Sequence, residues 1–116
     1  MIVLNVTYKC HPGKRSEFLS TIKNENIDVA GRAEAGNVKY DYYVSAEDAD
    51  EILLLEKWKD AEAIDKHRET AHFKRLGELK ADYVADTVSE RSEVYPWACL
   101  SPKQKSSLTA SFCACR

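Results

Sequence analysis

Asn37-Val38-Lys39-Tyr40-Asp41-Tyr42-Tyr43-Val44-Ser45, the acidic Ala46-Glu47-Asp48-Ala49-Asp50, and then Ile52-Leu53-Leu54-Leu55-Glu56-Lys57-Trp58 form the stretch on which the fold turns. The first segment sets Val38, Tyr40, Tyr42 and Val44 against Lys39, Asp41, Tyr43 and Ser45, the period-two pattern of a strand with one apolar and one more polar face. The acidic segment supplies a turn, and Ile52 to Trp58 returns as a second strand, so the two predict an antiparallel hairpin. In the returning strand Leu53 and Leu55 oppose Ile52 and Leu54, which leaves apolar side chains on both faces.

Working outward, residues 2–8 are mostly β-branched or aromatic and end at His11-Pro12-Gly13, which predicts a first strand and a turn. Ile2, Leu4 and Val6 point one way in it and Val3 the other. From Lys14, the residues Phe18, Leu19, Ile22, Val29, Ala30 and Ala33 fall on one helical stripe, predicting a single long helix stopped by Gly36, with Ile27 and Gly31 as its weak points. Beyond the hairpin, Asp60 can cap a short helix through Ala61, Ala63 and Ile64 to His67, and Thr70 a second through Phe73, Leu76 and Leu79. Thr87 to Tyr95 predicts a fourth strand, although Ser89-Glu90-Arg91-Ser92-Glu93 weakens it. The order strand, helix, strand, strand, helix, strand is the split βαβ plan: an α+β, ferredoxin-like antiparallel sheet with helices on one face. The opposite face, apolar in two strands, predicts a symmetric partner whose sheet packs against it.

The 116 residues, 44% hydrophobic and 31% charged, suit one soluble domain, expected over residues 1–97, with an aperiodic tail over 98–116 expected to be mobile. A net charge of -2 without a basic stripe argues against nucleic acid. The N-terminus lacks a basic leader, and no apolar run has the length of a membrane span, so no membrane partner and a cytoplasmic location are expected. Cys10, Cys99, Cys113 and Cys115 show no two-residue spacing of zinc ligand pairs. The four glycines form no phosphate-cradling loop, so no nucleotide or flavin cofactor is expected.

Several segments together carry a family resemblance. Pro12-Gly13-Lys14 with Glu17-Phe18, Glu34-Ala35-Gly36-Asn37 before Tyr40, Glu56-Lys57-Trp58-Lys59-Asp60, and His67-Arg68-Glu69-Thr70-Ala71-His72-Phe73 resemble the pattern of the antibiotic-biosynthesis-monooxygenase family over about residues 2–95. The resemblance implies a dimeric α/β-barrel with a pocket between sheet and helices of each subunit. It also implies one of the family's activities: cofactor-independent oxygenation of quinols or anthrones, isomerisation of a phosphorylated autoinducer, or haem degradation. His67 and His72 match the histidines of the first two groups, and Trp58 matches an aromatic at the end of the third strand. The haem-degrading branch fits poorly: its axial histidine falls near Gly77, and its strand-one asparagine near Val6, one step from Asn5.

A histidine titrates close to pH 6.5, so His67 or His72 is a candidate general base toward a phenol or enol. The same imidazoles could instead brace the short helices. They are five residues apart across a helix break, which offers no i,i+4 ligand pair, and no metal site is expected. Asn5, an amide in an apolar strand, is expected with Tyr40, Trp58 and Phe73 to position substrate. The expected function is a cofactor-free monooxygenase acting on a small aromatic quinol with dioxygen. Proton-shuttling isomerisation of a phosphorylated carbonyl compound, or a non-catalytic dimeric stress-response or binding module, is the alternative, since one scaffold hosts many functions.

Overall fold

The computed structural model describes residues 1–95. The expected tail and Cys99, Cys113 and Cys115 lie outside these residues, so the mobile-tail expectation and the 97/98 boundary do too. The elements follow the split βαβ order: β1 (Ile2–Cys10), α1 (Arg15–Asn24), α2 (Ile27–Arg32), β2 (Asn37–Val44), β3 (Glu51–Trp58), α3 (Ala61–Arg68), α4 (Ala71–Tyr83) and β4 (Val84–Glu93). The sheet has strand order β2-β3-β1-β4 with every neighbouring pair antiparallel, the ferredoxin-like arrangement.

Alternation along the two central strands builds the core. Ile2, Leu4, Val6 and Tyr8 of β1 lie beside Ile52, Leu54 and Trp58 of β3, and the helices lay Phe18, Ile22, Ile27, Ile64, Leu76 and Leu79 over them. Tyr8 meets Phe18 edge-on with ring centroids 5.8 Å apart, a geometry that aligns the positive ring edge with a negative face. The acidic 46–50 turn is tied to the β1–α1 turn. Gly13, at φ +76°, donates its N–H to Asp50 Oδ1 at 3.0 Å, Arg15 donates to Asp48 O at 2.9 Å, and Lys9 pairs with Asp48.

The expected single long helix is two. Asn26 adopts a left-handed φ of 56°, a conformation asparagine tolerates better than most residues. Its carbonyl then starts α2 by accepting from Ala30 N at 2.9 Å. The break resets the helical phase: Ile27 turns inward and Val29, predicted on the core stripe, is 53% exposed. Gly31 becomes a contact point in consequence, since a Cβ there would lie 2.9 Å from the Tyr40 ring. The fourth strand begins earlier than expected, at Val84, because α4 runs into it without a loop. Its polar run pairs with β1 from Ile2↔Glu93 onward, the backbone ladder overriding weak side-chain preference.

On the sheet face away from the helices, Val3 of β1 and half-buried Leu53 and Leu55 of β3 are flanked by exposed Tyr43 and Val88. Among the described residues, no helix is long and apolar enough to cross a membrane.

Gly36 allows the β2 entry to approach α3: a Cβ there would sit 2.3 Å from Ala63 Cβ, whereas one at Gly77 in α4 meets nothing within 4 Å. Gly36→Ala should therefore cost about 1–3 kcal/mol of overpacking, while Gly77→Ala should stabilise by up to about 1 kcal/mol through helix propensity. Urea unfolding of the two variants measures both, and equal effects would contradict the packing assignment.

Candidate functional site

Four segments place side chains around one point on the helix-covered side of the sheet. Trp58 ends β3 and is fully buried, and its indole N–H donates to Glu56 Oε1 at 2.9 Å, two residues back on the same face. Asp60 Oδ1 accepts from Ala63 N at 2.9 Å and starts α3, whose 63, 64 and 67 positions turn to the sheet. Thr70 then does two things. Its hydroxyl donates to His67 O at 2.7 Å and accepts from Phe73 N at 3.2 Å, ending α3 and capping α4 in one side chain. The change of direction brings His72 back toward His67, with ring centroids 5.7 Å apart.

The group that joins these segments is Glu34, in the turn between α2 and β2. Its Oε2 accepts from His67 Nδ1 at 2.6 Å and from His72 Nε2 at 2.7 Å. A carboxylate oxygen that accepts from both rings sets a proton on the nitrogen of each that faces it, Nδ1 of His67 and Nε2 of His72. His67 Nε2 lies 3.9 Å from Glu56 Oε1. Rings close the surroundings: Trp58 is 4.6 Å from the His67 ring, Phe73 5.1 Å and Tyr40 5.7 Å, centroid to centroid. A cleft of 140 Å³ is lined by Glu34, Gly36, Lys59, Asp60, Ala63 and Lys66, and neither histidine lines it.

Burial governs the charges here. It pushes the His67 pKa below the usual imidazole value, the Glu34 hydrogen bond opposing, so His67 is neutral at pH 7. It pushes the Glu56 carboxyl up to about 7; the Trp58 N–H opposes this, the Glu34 charge adds to it, and Arg68 opposes it. Burial likewise raises the Tyr40 and Tyr42 phenols above the ordinary range, and the Tyr42 hydroxyl has no hydrogen-bond partner among the described residues.

Of the residues singled out in the sequence, His67, His72, Tyr40, Trp58 and Phe73 converge. Asn5 does not join them. It lies between Leu4 and Val6, both in the core, so its side chain is on the other sheet face, opposite Leu55 and Glu90. The argument against a shared ligand set also fails: the Thr70 break, expected to separate the imidazoles, instead places donor atoms of His67, His72 and Glu34 within 4.8 Å of one another. Sequence reasoning missed both acids. Glu56 was legible, because period two puts it on the face of Ile52, Leu54 and Trp58. Glu34 lies outside any regular element and gave no periodic signal.

With the fold and this site established, comparison with known proteins identifies the class. Residues 1–79 match the profile of the family described as "Antibiotic biosynthesis monooxygenase", and the chain belongs to that family. A Bacillus subtilis (strain 168) protein named "Putative monooxygenase YcnE" is 44% identical over 73 residues, which cover 63% of this chain and 75% of that one. Among solved structures, a "Putative antibiotic biosynthesis monooxygenase" of Nitrosomonas europaea superposes with a TM-score of 0.74 at 24% identity, covering 81% of this chain and 98% of the other. A Bacteroides thetaiotaomicron protein described as a "Possible Oxidoreductase" gives 0.72 at 25% identity, covering 80% and 96%.

The Glu56 environment has a thermodynamic signature. The group holds its proton to about 7 when folded against 4.5 when free, so unfolding releases a proton between these values and stability falls as pH rises through them. His67 acts in the opposite sense, its contribution being lost as pH falls below about 6.5. Comparing Glu56→Gln with the parent at each pH isolates the acid. The variant should gain up to roughly 3 kcal/mol relative to the parent between pH 5 and pH 8. Chemical denaturation at the two pH values measures this, and a pH-independent difference would mean that Glu56 is not held neutral.

Proposed function

We propose that this chain is a cofactor-independent monooxygenase of a small aromatic quinol, with His72 as general base and Glu34 as the group that orients it. The observation that carries the reading is the single Glu34 oxygen shared by His67 Nδ1 and His72 Nε2 beside the rings of Trp58, Tyr40 and Phe73. The name of the Bacillus subtilis relative supports the reaction class. Of the two imidazoles, His72 is the more accessible, its side chain 18% exposed against 5% for His67. Glu34 fixes its tautomer, so that Nδ1 presents a lone pair, the arrangement by which a carboxylate prepares an imidazole for proton abstraction.

The substrate supplies the electrons. His72 Nδ1 takes a phenolic proton, and the resulting anion passes one electron to dioxygen. The substrate radical and superoxide join at a ring carbon to give a peroxide. Its O–O bond breaks, one oxygen staying on the ring and the other leaving as water with two substrate hydrogens, so that a hydroquinone becomes a hydroxyquinone. His67, neutral and packed among rings, positions Trp58 and Phe73 and transmits the placement of Glu34. We assign the sheet face carrying Val3, Leu53, Leu55 and Val88 to a second copy of the chain, since an apolar stripe in the middle of an open sheet is covered in soluble proteins.

Oxygen uptake with a panel of hydroquinones, in chelator-treated protein, tests the activity. His72→Gln should lower turnover by about 10²-fold with little change in melting temperature. His67→Gln should lower both turnover and stability, because it removes a ring from the packed cluster. Full activity in His72→Gln overturns the assignment of the base, and absence of uptake with every quinol overturns the oxygenase reading. Light scattering at micromolar concentration should report twice the chain mass, and a concentration-independent monomer would remove the second copy.

A further inference from the structure

Two acids face the two histidines. Among the described residues, the Glu34 side chain is bonded only to the imidazoles and the Glu56 side chain only to the Trp58 N–H, with His67 at 3.9 Å. Among the described residues, neither acid forms an ion pair with a lysine or arginine, although Glu56 is 5% exposed and the Glu34 side chain 15%. Arg68 acts on Glu56 and His67 through space alone, so the two acids and two imidazoles converge with no lysine or arginine at contact distance among the described residues, where burial makes uncompensated charge costly.

We infer that Glu34, His67 and His72 form a site for a divalent first-row transition ion, one bound through Glu34 Oε2, His67 Nδ1 and His72 Nε2. Two imidazole nitrogens and one carboxylate oxygen are the donors such ions take, and three protein ligands leave a coordination position for water. The donors already lie within 4.8 Å of one another. Ligands at about 2.0–2.1 Å from a tetrahedral ion stand about 3.3 Å apart, so the two hydrogen bonds would open by well under 1 Å. The imidazole nitrogens, within 4.8 Å of each other, would draw together toward the same spacing.

Coordination requires each imidazole to give up the proton it shows Glu34. Each ring moves that proton to its other nitrogen, His67 to Nε2 and His72 to Nδ1, with no net change in protonation. On His67 this turns an N–H toward Glu56, the carboxylate that would accept from a ligating histidine and fix its ring. The site stands independently of the oxygenase reading, and a bound ion would occupy the group that Glu34 presents to the base, so metal and base catalysis compete for the same residues.

The test uses the full chain, stripped with a chelator, and Co2+ and Zn2+ as probes. Co2+ should give visible bands of four- or five-coordinate geometry at one ion per chain, Zn2+ should displace it, and Zn2+ should raise the melting temperature by several degrees. Glu34→Gln and His72→Gln should each weaken Zn2+ at least 10-fold, as loss of one of three ligands requires, while His11→Gln should leave it unchanged. In the unaltered protein, the imidazole nitrogen resonances of His67 and His72, and not of His11, should shift with Zn2+, a readout that needs no variant to fold. A sulfur-to-cobalt charge-transfer band would place the ion on cysteine instead. That result, unshifted His67 and His72 resonances, or full affinity in folded Glu34→Gln would overturn the site. Quinol turnover by the stripped protein, measured separately, tests the oxygenase reading alone.

Discussion

Oε2 of Glu34 receives two N–H groups that arrive from different helices, and the arrangement of the site rests on that oxygen. The α2–β2 turn reaches α3 closely enough only because Gly36 has no side chain to strike Ala63, and Lys59 N donates to Gly36 O at 3.0 Å to hold the two segments together. Thr70 then sets the angle between α3 and α4 that brings His72 into range. Moving any of the three segments by an ångström would leave a half-buried carboxylate without its donors, a costlier state than the loss of an ordinary surface hydrogen bond. The site is thereby coupled to backbone positions that carry no chemistry of their own.

Strand β3 does two jobs with one alternation. Its inward positions supply Ile52 and Leu54 to the core and then, without a change of phase, Glu56 and Trp58 to the site. The indole N–H keeps Glu56 from being an orphan, and the same indole lies against His67. Core and site are therefore continuous: the apolar packing that stabilises the sheet is also what desolvates the acid and the imidazole and moves both toward their neutral forms.

Period two was enough to place the hairpin and the apolar character of both faces of β3. It also contained the answer for Asn5, whose neighbours Leu4 and Val6 were already placed together on the opposite face; treating the amide as informative overrode that parity. The broken helix had a weaker signal in Asn26, since asparagine is enriched in left-handed conformations, but the apparent stripe through Val29 concealed it. Glu34 stood in the sequence only as part of the family-like segment Glu34-Ala35-Gly36-Asn37, which gave it no role. A residue in a turn declares neither a face nor a period, and its partners are 33 and 38 positions away in sequence. The spacing of His67 and His72 was read as separation because helical ligand pairs are usually judged on a continuous helix, whereas here the break is what unites them.

The pairing of β1 with β4 sets a temporal order on the chain. Ile2 is matched to Glu93, and Val94 N donates to Met1 O at 2.9 Å, so among the described strands the earliest in sequence is completed by the latest. Until then one edge of β1 is open, and its inward residues have only β3 and the helices for shelter. Closing a loop of that length costs little more entropy than closing one of half the size, but the closure must come before the ladder repays it. A nascent chain released before β4 emerges would present a central strand as an edge, the form of a sheet most prone to recruit another chain.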